Sequence, residues 1–281
     1  MSHVAIFIGF LMLFSHSLIL IPTTHMYLGN IPSNIWHNST EIFLMPFALF
    51  LFWRTYKLLD NSNYSIKEII IICVLVFINA SIKPSFIFCY VVAFPILALL
   101  KHRFNKEFFM KIIPVILGII FIIILKNYVY SSSIYNPMDE SSIKIAPFHV
   151  WAYFTKNNIS LSLISSVFFP ICFFLVYYKK IKNNLLIRYS TILFVSSLLI
   201  FILLSETGRR EFHGNFMWQT IVCNYILFTC CISVFVKLIM DKVKIEKKDI
   251  IIFSIFCLHS LSGIIYIIKV LNSDSQWHAF Y

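Results

Sequence analysis

Charge is scarce in this chain: only 12% of its 281 residues are Asp, Glu, Lys or Arg, about half of what an aqueous surface normally carries. That shortage excludes a soluble globular enzyme. Glycine and proline are also few, six and nine, which excludes a collagenous or linker-like chain, and the low polarity excludes a disordered tail. Familiar chemical motifs are missing as well. There is no GxxxxGK[ST] phosphate loop, no HExxH, no GxSxG, no EF-hand loop, no CxxC pair and no Cys/His cluster at zinc spacing. ATP-driven pumps, common intramembrane metalloproteases and structural zinc domains therefore lack their parts. All seven cysteines fall inside apolar runs and read as small buried hydrophobes rather than disulfide partners.

What is present is apolar surface, 59% of residues with a mean hydropathy of +0.84, the composition of a polytopic membrane protein. A helix needs about 20 mostly apolar residues to cross a hydrocarbon core, because it rises 1.5 Å per residue and must satisfy its own backbone hydrogen bonds. Nine runs qualify, some marginally: 4–21, 41–58, 66–82, 85–100, 111–125, 160–178, 189–205, 219–236 and 249–268. The third and fourth are separated only by Lys83-Pro84-Ser85, so they form a tight hairpin or a re-entrant pair. The expected fold class is all-α, a transmembrane helical bundle of about nine spans in a single domain, 1–281.

The formal net charge of +11 reflects topology rather than nucleic-acid binding. Sixteen of the 23 cations lie in one alternate set of loops and helix ends, and seven in the other, while each set holds six acids. The basic face is cytoplasmic by the positive-inside rule, which puts the N-terminus inside and the C-terminus outside. Trp36, Trp151, Trp218 and Trp277 then mark outer ends, with only Trp53 at an inner one. No Lys or Arg precedes Arg54, so the first span has no signal-peptide n-region and is expected to stay attached. Its Ser15-His16-Ser17 would turn into the bundle rather than toward lipid.

Three outer segments concentrate polar, aromatic and titratable residues. The first, 22–41, reads PTTHMYLGNIPSNIWHNSTE. Trp36 beside His37 and Asn38 offers a stacking surface with donors and acceptors, as a sugar ring would use. The plainer reading is a membrane anchor and a helix start, with Asn38, Ser39 or Thr40 as N-cap and Glu41 in the favourable first turn. The second, 126–158, carries Asp139, Glu140, His149 and Trp151 and is long enough to serve as a lid or binding loop.

The third reads SETGRREFHGNFMWQ. The guanidinium groups of Arg209 and Arg210 suit a lipid-linked pyrophosphate, and Glu211 or His213 could act as base, with Asn215 and Trp218 beside them. Its plainer reading is a loop in which Glu206 and Glu211 neutralise the arginines and Trp218 anchors the next helix. Lys83 is a lone outer cation that either snorkels to headgroups or contacts substrate. His16 and His259, inside spans, read as packing residues.

GNIPSNIWHNSTEIFLMPFALFLF, the KPSF turn and ETGRREFHGNFMWQ are similar to blocks in multispanning proteins of bacterial surface-polysaccharide loci. They resemble both O-antigen polymerases of the Wzy type and membrane glycosyltransferases of the GT-C superfamily. The resemblance implies an inner-membrane protein that uses a polyprenyl-linked oligosaccharide at the outer face, with membrane lipids and other polysaccharide-assembly proteins as partners. The resemblance requires no nucleotide sugar; the cations track topology rather than a nucleic-acid partner, no ligand spacing argues for a metal, and no cofactor is expected. The polymerases use outer-loop arginines, for which Arg209 and Arg210 are the clustered candidates. The glycosyltransferases place an acid in the first outer loop, and here 22–40 contains none, with Glu41 nearest. Both groups run longer, which would leave an N-terminal portion outside these 281 residues. A carrier of a lipid-linked sugar or small solute is the rival expectation, and it would require polar groups and broken helices near mid-membrane.

Overall fold

A computed structural model describes residues 2–19, 29–36, 38–61, 65–131, 142–156 and 158–272. Among the described residues, the regular structure is helical apart from one short ribbon. Its elements are α1 (Ser2–Leu13), α2 (Ser39–Asp60), α3 (Ile66–Ile82), α4 (Ser85–His102), α5 (Lys106–Lys111), α6 (Ile113–Ser131), β1 (Ile143–Ile145), α7 (His149–Thr155), α8 (Ile159–Ile181), α9 (Leu185–Leu203), β2 (Leu204–Glu206), α10 (Trp218–Met240) and α11 (Lys247–Asn272).

Among the described residues, seven helices are long and apolar enough to cross a membrane. Of the other two expected spans, α3 has 17 residues, at the lower edge of the spanning range. Helix α1 has 12 and reaches only about 18 Å, well short of a hydrocarbon core. Helices α3 and α4 meet at the Lys83-Pro84 turn and pack on each other as a hairpin.

The expected first span, 4–21, breaks at Leu13 because its backbone is captured by distant partners. Residues 15–17 are buried without being helical. The His16 N–H donates to the His259 carbonyl on α11 at 3.1 Å, and the Leu18 N–H donates to the Ser165 carbonyl on α8 at 3.0 Å. The Leu13 carbonyl, left over at the end of α1, accepts from the Asn34 amide and the Trp36 indole N–H.

Helix α8 is broken at the same level. Val167 leaves helical geometry and Pro170 follows three residues later, so Ser166 has no proline N–H to bond. Each freed group is met. The Ser166 carbonyl accepts from Asn224 Nδ2 on α10 at 3.4 Å, and the Ser165 carbonyl takes Leu18. The Phe169 N–H donates to His259 Nε2 at 3.3 Å, while His259 Nδ1 lies 2.6 Å from the His16 carbonyl. Because Nε2 must accept from an amide, the proton sits on Nδ1, and one neutral imidazole closes both breaks. Residues 29–36 complete the latch: Ile31 donates to Ser166 Oγ at 2.9 Å, its carbonyl accepts from Asn224 at 3.0 Å, and Ser162 Oγ donates to the Gly29 carbonyl.

Around this latch the core is aromatic. Phe169, Phe173, Phe228 and Phe256 from α8, α10 and α11 lie ring to ring, and Phe52, Phe94 and Tyr189 do the same between α2, α4 and α9. The loops divide between two ends. One end is basic and bound by ion pairs, Arg54 with Glu68 at 2.9 Å and Lys242 with Asp249 at 2.7 Å, and by hydrogen bonds from buried Lys111 to the Asn61 carbonyl and His102, both at 3.0 Å. The other end holds the ribbon and the longer loops.

Gly263 sits where a Cβ would collide with the Phe14 carbonyl, whereas a Cβ on Gly9 would meet nothing within 4 Å. Gly263→Ala is therefore expected to lower stability by about 1–3 kcal/mol, read as an earlier thermal transition in detergent-solubilised protein, with Gly9→Ala unchanged.

Candidate functional site

All three expected outer segments converge on one apolar cluster at the loop-rich end. Ile31 and Ile35 come from the first, Val150, Trp151 and Phe154 from the second, and Met217 and Trp218 from the third. The ribbon ties the second to the third. Strands β1 and β2 pair antiparallel, Lys144 opposite Ser205, and Thr207, Ala146 and Phe148 extend the backbone bonding on either side. Helix α7 lies under this ribbon, with Trp151 fully buried against Phe201 and its indole N–H donated to Ser162.

At the base of the cluster lies a buried ion pair. Glu41 Oε2 is 2.7 Å from Lys83 Nζ; the carboxylate is fully buried and the lysine side chain 20% exposed. The ammonium also sits 4.2 Å from the centroid of the Trp218 ring, an attraction that strengthens as water is excluded. Asn38 caps α2 by accepting from the Glu41 N–H at 3.1 Å, and this cap orients the carboxylate toward the α3–α4 turn. A charge at membrane depth marks a functional site more often than a loop charge does. Here only the cation of the pair reaches the surface, so the pair can meet an anion there while its acid stays dry.

A second polar group lies on the ribbon. Glu211 accepts from Lys144 at 2.6 Å and lies 2.8 Å from His149 Nε2. The Lys144 and His149 hydrogen bonds hold its carboxyl below the usual glutamate range, which makes Glu211 an anionic latch rather than a base poised near neutrality. Phe212 stacks near Tyr153 at 4.1 Å and His149 at 5.2 Å. Glu206 accepts from Asn215.

The expected site residues thus separate. Lys83 and Trp218 come together. Glu211 joins Lys144 and His149, and Asn215 joins Glu206. His213 and Arg209 are exposed and Arg210 is half-buried. Trp36 is 40% exposed, with its indole bound to the end of α1, and Asn38 is committed to its cap. His37 lies outside the described residues, as do Asp139 and Glu140. The helix-start reading of Asn38 and Glu41 holds, and the first-turn acid proves also to be buried and ion-paired. Its signal was periodicity: Glu41 shares one stripe with Leu44, Ala48, Leu51 and Thr55, all buried.

Comparison with known proteins adds nothing to this geometry, since no family model, no curated protein and no solved structure matches the chain.

Two outcomes follow from these pairs. Lys83→Met strands a buried carboxylate and is expected to cost about 3 kcal/mol or more, with Glu41→Gln added in the same chain restoring most of the lost thermal stability. Because the Glu211 pKa is depressed by folding, its contribution is complete above the ordinary glutamate range and disappears as pH falls through the lowered value. Proteolysis at Lys144 in nanodiscs should therefore accelerate at acidic pH, and Glu211→Gln should be fast at every pH.

Proposed function

We propose that this integral membrane protein transfers or polymerises polyprenyl-linked oligosaccharide units at its loop-rich end, which would be the outer face of a bacterial inner membrane. The carrying observation is the Glu41–Lys83–Trp218 group set beneath three converging outer segments. In this reading Lys83, Arg209 and Arg210 bind the phosphate oxygens of the lipid-linked donor and stabilise the charge that develops on the leaving phosphate. An acceptor hydroxyl attacks the anomeric carbon, and a carboxylate or imidazole takes its proton. His213, exposed beside the arginines, suits that role, whereas Glu41 is fully buried against Lys83 and Glu211 is held by Lys144 and His149. The acid that the membrane glycosyltransferase resemblance implies for the first outer loop is absent from 22–40, which favours the polymerase reading. Trp218, and the exposed ring of Trp36, supply apolar faces for a sugar.

One observation favours the rival, a carrier: α8 is broken and residues 14–19 are unwound, a feature of transporter sites. Against it, the freed backbone groups are bound by His259, Asn224 and Leu18, so the break is stitched closed by the chain itself.

The deciding experiment profiles surface polysaccharide and lipid-linked intermediates in cells lacking this protein and complemented with wild type or Arg210→Ala. Loss of a donor that stabilises developing charge costs about 10²–10³ in rate, so the Arg210→Ala strain should accumulate undischarged lipid-linked units at unchanged membrane levels of the protein. A normal profile in the null removes this function. Uptake of lipid-linked oligosaccharide into proteoliposomes without chain growth assigns the carrier instead.

A further inference from the structure

On the opposite half of the bundle, two apolar grooves run along the membrane-facing side of α10. The larger, about 720 Å³, lies between α2, α9 and α10 and opens toward the basic end at Lys237, Asn184 and Tyr56. The smaller, about 360 Å³, lies between α1, α2 and α10. Both volumes fall within the roughly 300–1,000 Å³ of small-molecule sites. The grooves meet, because Leu49, Thr229 and Ser233 line each of them.

Their length identifies an occupant. Along α10 the larger groove extends from Ile226 to Lys237, about 16 Å at 1.5 Å per residue, which is half of a roughly 30 Å hydrocarbon core. It is as deep as one leaflet. Its mouth carries cationic charge: Lys237 lines it, and Lys57 sits 5.2 Å from the ring of Trp53, another lining residue. Two joined apolar channels, the larger of single-leaflet depth beneath a lysine mouth, match a lipid with two acyl chains and an anionic phosphate headgroup. We propose that α1, α2, α9 and α10 form a specific site for an anionic diacyl phospholipid of the leaflet at the basic end, its phosphate on Lys237 and Lys57 and its two chains on either side of Ser233. The proposal does not depend on glycosyl transfer, since the site lies on the far half of the molecule.

The probe is dioleoyl phosphatidylglycerol added to delipidated protein in detergent, with phosphatidylcholine of the same chains and inorganic phosphate as comparisons. Thermal unfolding and native mass spectrometry are the readouts. A ligand that binds only the folded protein raises its transition temperature, so phosphatidylglycerol should raise it by several degrees and leave one lipid bound per chain. The shift should fall by at least half in Lys237→Ala and in Leu49→Phe, which occupies both grooves. It should persist in the Lys179→Ala/Lys180→Ala double variant, which removes two charges from the α8 terminus at the same end without touching the grooves. Lys237 is solvent-exposed, so its truncation keeps the test alive where Leu49→Phe misfolds. An equal loss in the Lys179/Lys180 variant would reduce the effect to general surface charge. Equal stabilisation by phosphatidylcholine would reduce it to apolar filling, and a full shift with inorganic phosphate would remove the role of the chains; each result overturns the proposal.

Discussion

Every backbone amide and carbonyl surrounded by hydrocarbon must find a partner within the protein, and this chain meets that requirement at its least regular point with a single imidazole. His259 lies midway along α11, where it holds the carbonyl of the unwound 14–19 run with one nitrogen and the free amide of broken α8 with the other. Asn224 and the serines at 162, 165 and 166 satisfy the groups that remain. The cost of the two breaks is thereby offset locally, and three stretches distant in sequence are locked at one depth. Partial satisfaction would be worse than none, because low dielectric magnifies each missing bond. The latch consequently behaves as a unit, with Gly263 giving the Phe14 carbonyl room to enter it.

That latch sets the height of everything above it. Residues 29–36 leave it pinned through Gly29 and Ile31, so the Asn38 cap and the start of α2 emerge at a defined level. Glu41 is buried there at the foot of the loop-rich end. Its charge is tolerable because Lys83 arrives from the α3–α4 turn and Trp218 from the start of α10. A buried pair of this kind contributes little net stability, since desolvation of two ions consumes most of the attraction. Its presence is better explained by what the ammonium can do at the surface.

Much of the fold is legible in the sequence because hydropathy is a local property. The 66–82 run coincides with α3, and the 85–100 run is α4 to within two residues. The failure at 4–21 has the opposite cause: nothing in Leu18 announces that its backbone will bond α8 instead of continuing a helix. His259 was readable as a packing residue, but its double role depends on two breaks it does not adjoin in sequence. For the candidate site, Lys83, Trp218 and the three outer segments could be found from residue type and position. The engagement of Glu211 by Lys144 and His149 could not, because it depends on a ribbon of three residues per strand, too short for any periodicity to mark. Glu41 fell between the two cases, since an acid in a first turn satisfies the helix dipole and that sufficient explanation hid its place on the buried stripe.

The two ends of the bundle differ in how they hold charge, and the difference bears on function. At the basic end two acids are held by several partners each: Asp249 takes Lys242 on both oxygens as well as the Tyr177 hydroxyl, and Glu107 is shared by Lys111 and His102. Cations exceed acids there, and the surplus faces headgroups, where attraction to anionic lipid orients and holds the helices. At the loop-rich end the pairing is arranged the other way, with the acid of the principal pair buried and its cation half-open beneath an indole. A surplus of lysine in loops anchors the protein wherever it lies, but a single ammonium placed by a buried carboxylate and an aromatic face has a fixed direction and depth. That fixed direction and depth is why the proposed chemistry is placed at the less charged end.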